Sequence, residues 1–277
     1  MFDAAILGAG PIGASVAQRL AERGRARRIV LIDAAVDAAA GLALDIQQSG
    51  PVAAFDTRLS AAGDILAAAA ADVIVLADRR GAGDWDGAEG LAVVAQLVRA
   101  GVTAPLVFAG PTQHRLMETS YRSLKVPRDR LVGTAAAAML GAVQSLVSLE
   151  LNASPVGVVV TGRPPAFVIG WSVATVSGAL VREQVPAHRL LAISNALPRL
   201  WPPGPHAIAS ATAPVVEALG LGSRQRHLAL TILDGELNAR GSTVLLPLEL
   251  GHGRVRSHVL PSLSDHERTA LANSLAD

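Results

Sequence analysis

The chain has 277 residues, with 24 basic side chains against 23 acidic ones and a formal charge of +1, so no charge excess points to a nucleic acid or an anionic membrane surface. Apolar residues make up 51% and charged residues 17%, enough for a sizeable core, while 3% aromatic content leaves little for base stacking. Cysteine is absent, which removes disulfides, thiolate nucleophiles and cysteine-based zinc sites.

Phe2 to Leu7 is an apolar run ending at Gly8, and it predicts a strand. Ile12, Val16 and Leu20 then recur on one helical face, with Gly24 as a stop. Ile29 to Ile32 is apolar throughout and ends at Asp33, the pattern of a parallel strand buried on both faces. ADVIVLA (Ala71 to Ala77) and APLVFAG (Ala104 to Gly110) repeat the strand pattern, with a helical stretch from about Gly90 to Ala100 between them. Strands alternating with helices predict a doubly wound parallel sheet.

The character changes after LVGTA (Leu131 to Ala135). A helix is predicted from about Ala138 to Leu151, then a strand in VGVVVTG and a hairpin strand in GWSVATVSG. HLALTILDG, STVLLPLEL and RVRSHVLP predict three antiparallel strands with short connections. Ser264 and Glu267 fit a capping box opening a last helix. The boundary is placed near Gly133, giving an α/β unit over 1–133 and a mixed α+β unit over 134–277. Asp3 near the start and no basic leader argue against a secretory signal, and the longest uncharged apolar stretch falls short of the ~18 residues of a membrane span. A cytoplasmic protein without membrane or nucleic-acid partners is the expectation.

Gly8-Ala9-Gly10-Pro11-Ile12-Gly13 is a G-x-G-x-x-G between a predicted strand and a predicted helix, and Asp33 closes the next strand. Gly8 permits the tight turn, Gly10 lets backbone N–H groups approach a pyrophosphate, and Gly13 lets the helix pack closely on the sheet. The helix N-terminus, with Pro11 and Ile12 in its first turn, adds partial positive charge for phosphates. Asp33 can accept from a ribose diol and would repel a 2′-phosphate, so the pattern predicts a Rossmann unit binding NAD rather than NADP.

Gly41 with Ala43-Leu44-Asp45-Ile46 resembles the helix after the second strand in the lactate/malate dehydrogenase family. ADVIVLA, VPRDRLVGT (Val126 to Thr134), GWSVATVSG, ILDGEL, LELGHGRV and LSDHERTAL resemble further family segments in order, over nearly the whole chain. The resemblance implies a Rossmann domain followed by a substrate-type C-terminal domain, hydride exchange between NAD and a small 2-hydroxy or 2-oxo acid, and a homodimer or homotetramer. It also implies a histidine held by a carboxylate, an arginine for the substrate carboxylate, and a mobile-loop arginine.

This sequence departs from that set. The segment resembling the family's G-x-H-G reads Gly162-Arg163-Pro164-Pro165, and the L-D-x-x-R segment reads Ala138-Met139-Leu140-Gly141-Ala142. The asparagine-proline turn reads Gly110-Pro111, and the mobile loop is Asp78-Arg79-Arg80-Gly81-Ala82-Gly83-Asp84-Trp85. Asp78 falls where the family has a small residue beside the dinucleotide, so its carboxylate can weaken pyrophosphate binding. The region between about Arg189 and His206 reads as shortened.

None of the family's catalytic set is retained at these positions, and His114, Arg79 and Arg80 are the candidate substitutes. Their plainer readings are a helix-start histidine and solvated loop charges. Arg163 reads either as an anion-binding group or as a strand-end arginine, and His206 as a loop residue. Asp234 and Glu236 read as a turn, and Trp171 and Trp201 as packing. His252 and His258 lack a third ligand at metal spacing, so no metal is expected. The leading expectation is an NAD-binding family member without the standard 2-hydroxy-acid dehydrogenase activity. The rivals are an oxidoreductase with a rewired site and altered substrate, and an interaction protein that kept only the fold.

Overall fold

The structure is a computed structural model that describes residues 1–154 and 156–276. It begins with β1 (Phe2–Leu7), buried along its whole length, and turns through Gly8 into α1 (Pro11–Glu22), whose Ile12, Val16 and Leu20 are buried as their spacing requires. β2 (Ala26–Ile32) runs parallel to β1 and is followed by α2 (Val36–Ala53) and the edge strand β3 (Arg58–Ala62). β4 (Val73–Leu76) pairs with the other side of β1. A short hairpin of β5 (Asp78–Arg79) and β6 (Gly83–Asp84) leaves the sheet, and α3 (Gly87–Arg99), β7 (Leu106–Phe108), α4 (His114–Leu124) and β8 (Leu131–Gly133) complete the first half.

The parallel strands lie in the order β3-β2-β1-β4-β7-β8. Winding reverses between β1 and β4, which opens a crevice at the carboxyl ends of the strands. Apolar side chains fill both faces of these strands, as expected for a sheet covered by helices.

The second half continues through α5 (Ala138–Leu151), β9 (Val156–Gly157), β10 (Val160–Arg163), β11 (Ala166–Ile169), β12 (Thr175–Val176) and β13 (Ala179–Leu180). It then runs through α6 (Val181–Gln184), α7 (Ala187–Ala196), α8 (Pro205–Leu221), β14 (Arg226–Asp234), β15 (Arg240–Gly251), β16 (Arg254–His258) and α9 (Asp265–Ala276). β14 pairs antiparallel with β8, and β15, β10 and β11 extend the same sheet, with β16 branching from β15. Gly133, the expected boundary, is the last residue of the last parallel strand, and the sheet runs on across it. Helix α8 packs against α1, where the Arg23 guanidinium donates twice to the buried Glu217 carboxylate at 2.7 Å.

One expected strand divides, the expected hairpin strand forms, and one edge strand is added. VGVVVTG divides, because Val156–Gly157 joins a small separate sheet with β12 and β13 while Val160–Arg163 joins the large one. GWSVATVSG contributes one strand of a tight hairpin turning at Ser177 and Gly178, both with positive φ. The edge strand β3 is additional, since its RLSAA sequence has no apolar run. The capping box forms: the Ser264 N–H donates to Glu267 at 2.8 Å, and the Glu267 N–H donates to the Ser264 hydroxyl at 3.4 Å. Among the described residues no helix is long and apolar enough to cross a membrane.

Candidate functional site

The fingerprint turn lies at the crevice, between the carboxyl end of β1 and the first turn of α1. Gly8 holds φ at +116°, and a Cβ there would overlap the Asp78 carbonyl. A Cβ at Gly13 would overlap the Gly8 carbonyl oxygen, so Gly13 is what lets α1 sit on the turn. Pro11 occupies the first helical position, where a missing N–H costs nothing.

The turn's N–H groups have partners within the chain. Gly8 donates to the Ile32 carbonyl at 2.7 Å, and Gly10 to the Asp78 carbonyl at 2.9 Å. Ala9 donates to the Asp33 carboxylate at 2.8 Å. Ile12 and Gly13 both donate to Oδ1 of Asp78, at 2.9 and 3.0 Å. The Asp78 carboxyl group lies beside Gly10, where an added Cβ would come within 2.6 Å of it.

Asp33 is buried at the end of β2, and it also accepts from the N–H groups of Arg80 at 2.9 Å and Ala35 at 3.0 Å. Burial opposes its charge, but the N–H groups of Ala9, Arg80 and Ala35 outweigh that cost and hold its pKa below the ordinary carboxylate value. Asp78 goes the other way. Burial pushes its pKa up against the N–H groups of Gly13 and Ile12, and the nearby Asp84 charge adds to the rise.

The β5–β6 hairpin fastens across the crevice at further points. The Asp84 carboxylate accepts from the Thr112 N–H at 3.0 Å and its hydroxyl at 2.8 Å. It also fills the space beside Gly110, where a side chain would approach within 2.5 Å of it. The Trp85 indole N–H donates to the Leu7 carbonyl at 2.9 Å. Arg79 lies 4.5 Å over the Trp85 ring and donates to Glu89 at 2.6 Å.

The candidate replacement residues are held by different partners. Arg79 is committed to the hairpin and Glu89, and the Arg80 side chain is exposed. His114 begins α4 with Nδ1 3.3 Å from the Pro111 carbonyl oxygen, and burial lowers its pKa against the pull of that carbonyl and of Glu118. Arg163 ends β10 and donates to both oxygens of buried Glu118, at 3.2 and 3.1 Å. Glu118 also accepts from the N–H and hydroxyl of Thr243, each at 2.9 Å. His206 is exposed in the first turn of α8. Trp171 donates to the Ser194 hydroxyl and Trp201 packs at 5.4 Å from Phe167. Glu236 accepts from Arg128, and Asp234 pairs with Arg240 across the β14–β15 connection.

Comparison with known proteins gives these features a family. Residues 3–84 match the model of the lactate/malate dehydrogenase NAD binding domain. The chain is 30% identical to malate dehydrogenase of Thermomicrobium roseum over 97% of its own length and 93% of the relative's. The chain belongs to the lactate/malate dehydrogenase family. It is also 27% identical to malate dehydrogenase of Thioalkalivibrio sulfidiphilus over the full chain and 97% of that relative. The fold is similar to that of malate dehydrogenase from Salinibacter ruber, with a TM-score of 0.85 and 22% identity over 99% of this chain and 94% of the other. It is also similar to minor L-lactate dehydrogenase from Enterococcus mundtii, with a TM-score of 0.86 and 19% identity over 99% and 95% of the two chains.

The domain match and the malate dehydrogenase relatives support NAD as the cofactor. On the ribose side the residues present fit, since Asp33 ends β2 with an ionised carboxylate beside the turn. On the diphosphate side they do not fit as folded: the N–H groups that would meet phosphate already donate to Asp78. Asp78 stands out in the sequence by its position after β4. Asp84, Trp85, Glu118 and Thr243 carry no sequence signal of their own, because their roles depend on partners 28 to 125 residues away.

Proposed function

We propose that this chain is an NAD-linked member of the lactate/malate dehydrogenase family that no longer performs the ordinary 2-hydroxy-acid dehydrogenase reaction. In this reading residues 1–133 form the cofactor half and residues 134–277 a substrate-type half without the usual proton shuttle. The observation that carries it is the end of β10. Pro164 and Pro165 stand where the resemblance calls for the histidine and the following glycine, and the Arg163 guanidinium is spent on Glu118. A proline side chain offers neither a proton nor an acceptor for one.

The magnitudes support a lost reaction. General acid–base catalysis supplies roughly 10² to 10⁴ in rate, or about 3 to 5 kcal/mol. An unpaired substrate carboxylate in a buried site loses about 2 to 5 kcal/mol more. Together these approach the ~8 kcal/mol at the lower end of enzymatic acceleration. The rewired alternative asks His114 and Arg79 or Arg80 to converge on one reacting atom, and the commitment of Arg79 to Glu89 and Trp85 weighs against it.

The test is reduction of oxaloacetate, pyruvate and a panel of longer 2-oxo acids with NADH, followed at 340 nm. The expected result is no turnover above the protein-free rate. Turnover at the usual enzymatic rates of about 1 to 10³ per second would refute the reading.

A further inference from the structure

The anion cradle of this chain is already filled by one of its own carboxylates. Five N–H groups of the turn, on Gly8, Ala9, Gly10, Ile12 and Gly13, donate to other parts of the chain, Pro11 between them having none, and two of them converge on Oδ1 of Asp78. A helix N-terminus leaves its first N–H groups without intrahelical partners, and a carboxylate accepting from two of them satisfies both groups and the positive end of the dipole. A phosphate would use the same donors for the same reason. Both anions cannot occupy the position beside Gly10, because the Asp78 carboxyl group already fills it, so closely that a Cβ added at Gly10 would lie 2.6 Å from it.

The rest of the hairpin extends the closure. Asp84 holds the 110–112 turn beyond β7, the Arg80 N–H holds Asp33 at the end of β2, and the Trp85 indole holds the last carbonyl of β1. These anchors span the crevice from one side of the switch point to the other. Arg79 braces the hairpin internally through the Ala82 and Asp84 carbonyls and the Trp85 ring. Gly81 and Gly83 at its tip have φ of +73° and +71° and open space around them, so the tip itself is not packed in place.

We propose that residues 78–85 are an autoinhibitory strap, in which the Asp78 carboxylate takes the diphosphate position of the fingerprint turn, so that NAD binds only by displacing it. The proposal rests on the NAD reading above. The strap sets how tightly the dinucleotide is held, because every bound molecule must break the Asp78 hydrogen bonds and lift an acidic group away from its own phosphates.

The experiment is calorimetric titration of NADH into the wild-type protein, Asp78→Ala and Asp78→Asn, with inorganic pyrophosphate as a second probe in thermal shift. Asp78→Ala should bind NADH at least tenfold more tightly than wild type, and pyrophosphate should raise its Tm while leaving the wild type unchanged. Asp78→Asn keeps an oxygen for the two N–H groups but removes the charge, so its affinity should lie between the two. A measurement on the unmodified protein guards against a misfolded variant: NADH should speed hydrogen exchange at the Arg80 and Thr112 amides. Equal affinity of wild type and Asp78→Ala overturns the strap and leaves the NAD reading standing. NADH bound to the wild type with those amides still protected also overturns it. No binding by any of the three proteins overturns both.

Discussion

Replacing Arg163 by methionine separates a structural arginine from a substrate-binding one. Arg163 is 20% exposed and Glu118 only 7%, and the pair is bidentate. Removing one partner of a fully buried pair costs about 3 to 5 kcal/mol, because the other charge stays behind uncompensated. Glu118 keeps the N–H and hydroxyl of Thr243, and the arginine is partly solvated, so the expected loss is about 2 to 3 kcal/mol. For a chain of this size that corresponds to a fall in Tm of about 5 to 10 °C. The assay is urea unfolding followed by tryptophan emission and circular dichroism, with coincident curves as the condition for reading a free energy. Glu118→Gln keeps an acceptor for Thr243 and removes the stranded charge, so the double variant should be more stable than additive losses predict by about 1 to 2 kcal/mol. A loss below about 0.5 kcal/mol for Arg163→Met, or strict additivity, would refute the reasoning. So would stabilisation of the wild type by malate that disappears in Arg163→Met, since the arginine would then be serving a ligand.

Gly13→Ala should destabilise the first half by at least about 3 kcal/mol, because its Cβ would meet the Gly8 backbone carbonyl and neither group can move independently of β1 and α1; the urea midpoint checks this. Asp3 is held from its ordinary 3.8 down to about 2, first by Arg27 against the cost of burial and then by Arg28. Its ionised form therefore contributes stability that is complete above pH 4 and disappears as the pH falls toward 2, about 1 kcal/mol after allowing for the exposure of both arginines; Asp3→Asn should flatten that limb of the urea-midpoint profile. Ser264→Ala should cost about 1 kcal/mol by removing one half of the capping box at α9, read as a fall in Tm of about 2 to 4 °C.

The parallel strands are legible in the sequence because burial on both faces demands uninterrupted apolar runs, as in Phe2–Leu7 and Ile29–Ile32. The glycine fingerprint is legible for a similar reason: Gly8 and Gly13 answer backbone clashes that no other residue avoids. Strand β3 is not, since an edge strand half exposed along its length needs no apolar period. The hairpin over residues 78–84 escapes sequence reasoning more completely, because its two-residue strands have no periodicity to display. Asp78 is conspicuous as a charge in a segment expected to be small, but the N–H donors it accepts from, on Ile12 and Gly13, are 66 and 65 residues away in sequence. The pairing of Arg163 with Glu118 likewise joins β10 to α4 across 45 residues, so the sequence leaves open whether that arginine serves an anion or a buried carboxylate.

The most direct test of the account is a single-turnover measurement on Asp78→Ala loaded with NADH and then mixed with oxaloacetate or pyruvate. With the strap carboxylate gone, the nucleotide should bind and its absorbance at 340 nm should persist. Rapid loss of that absorbance on mixing, with a rate that follows the titration of an imidazole, would contradict it.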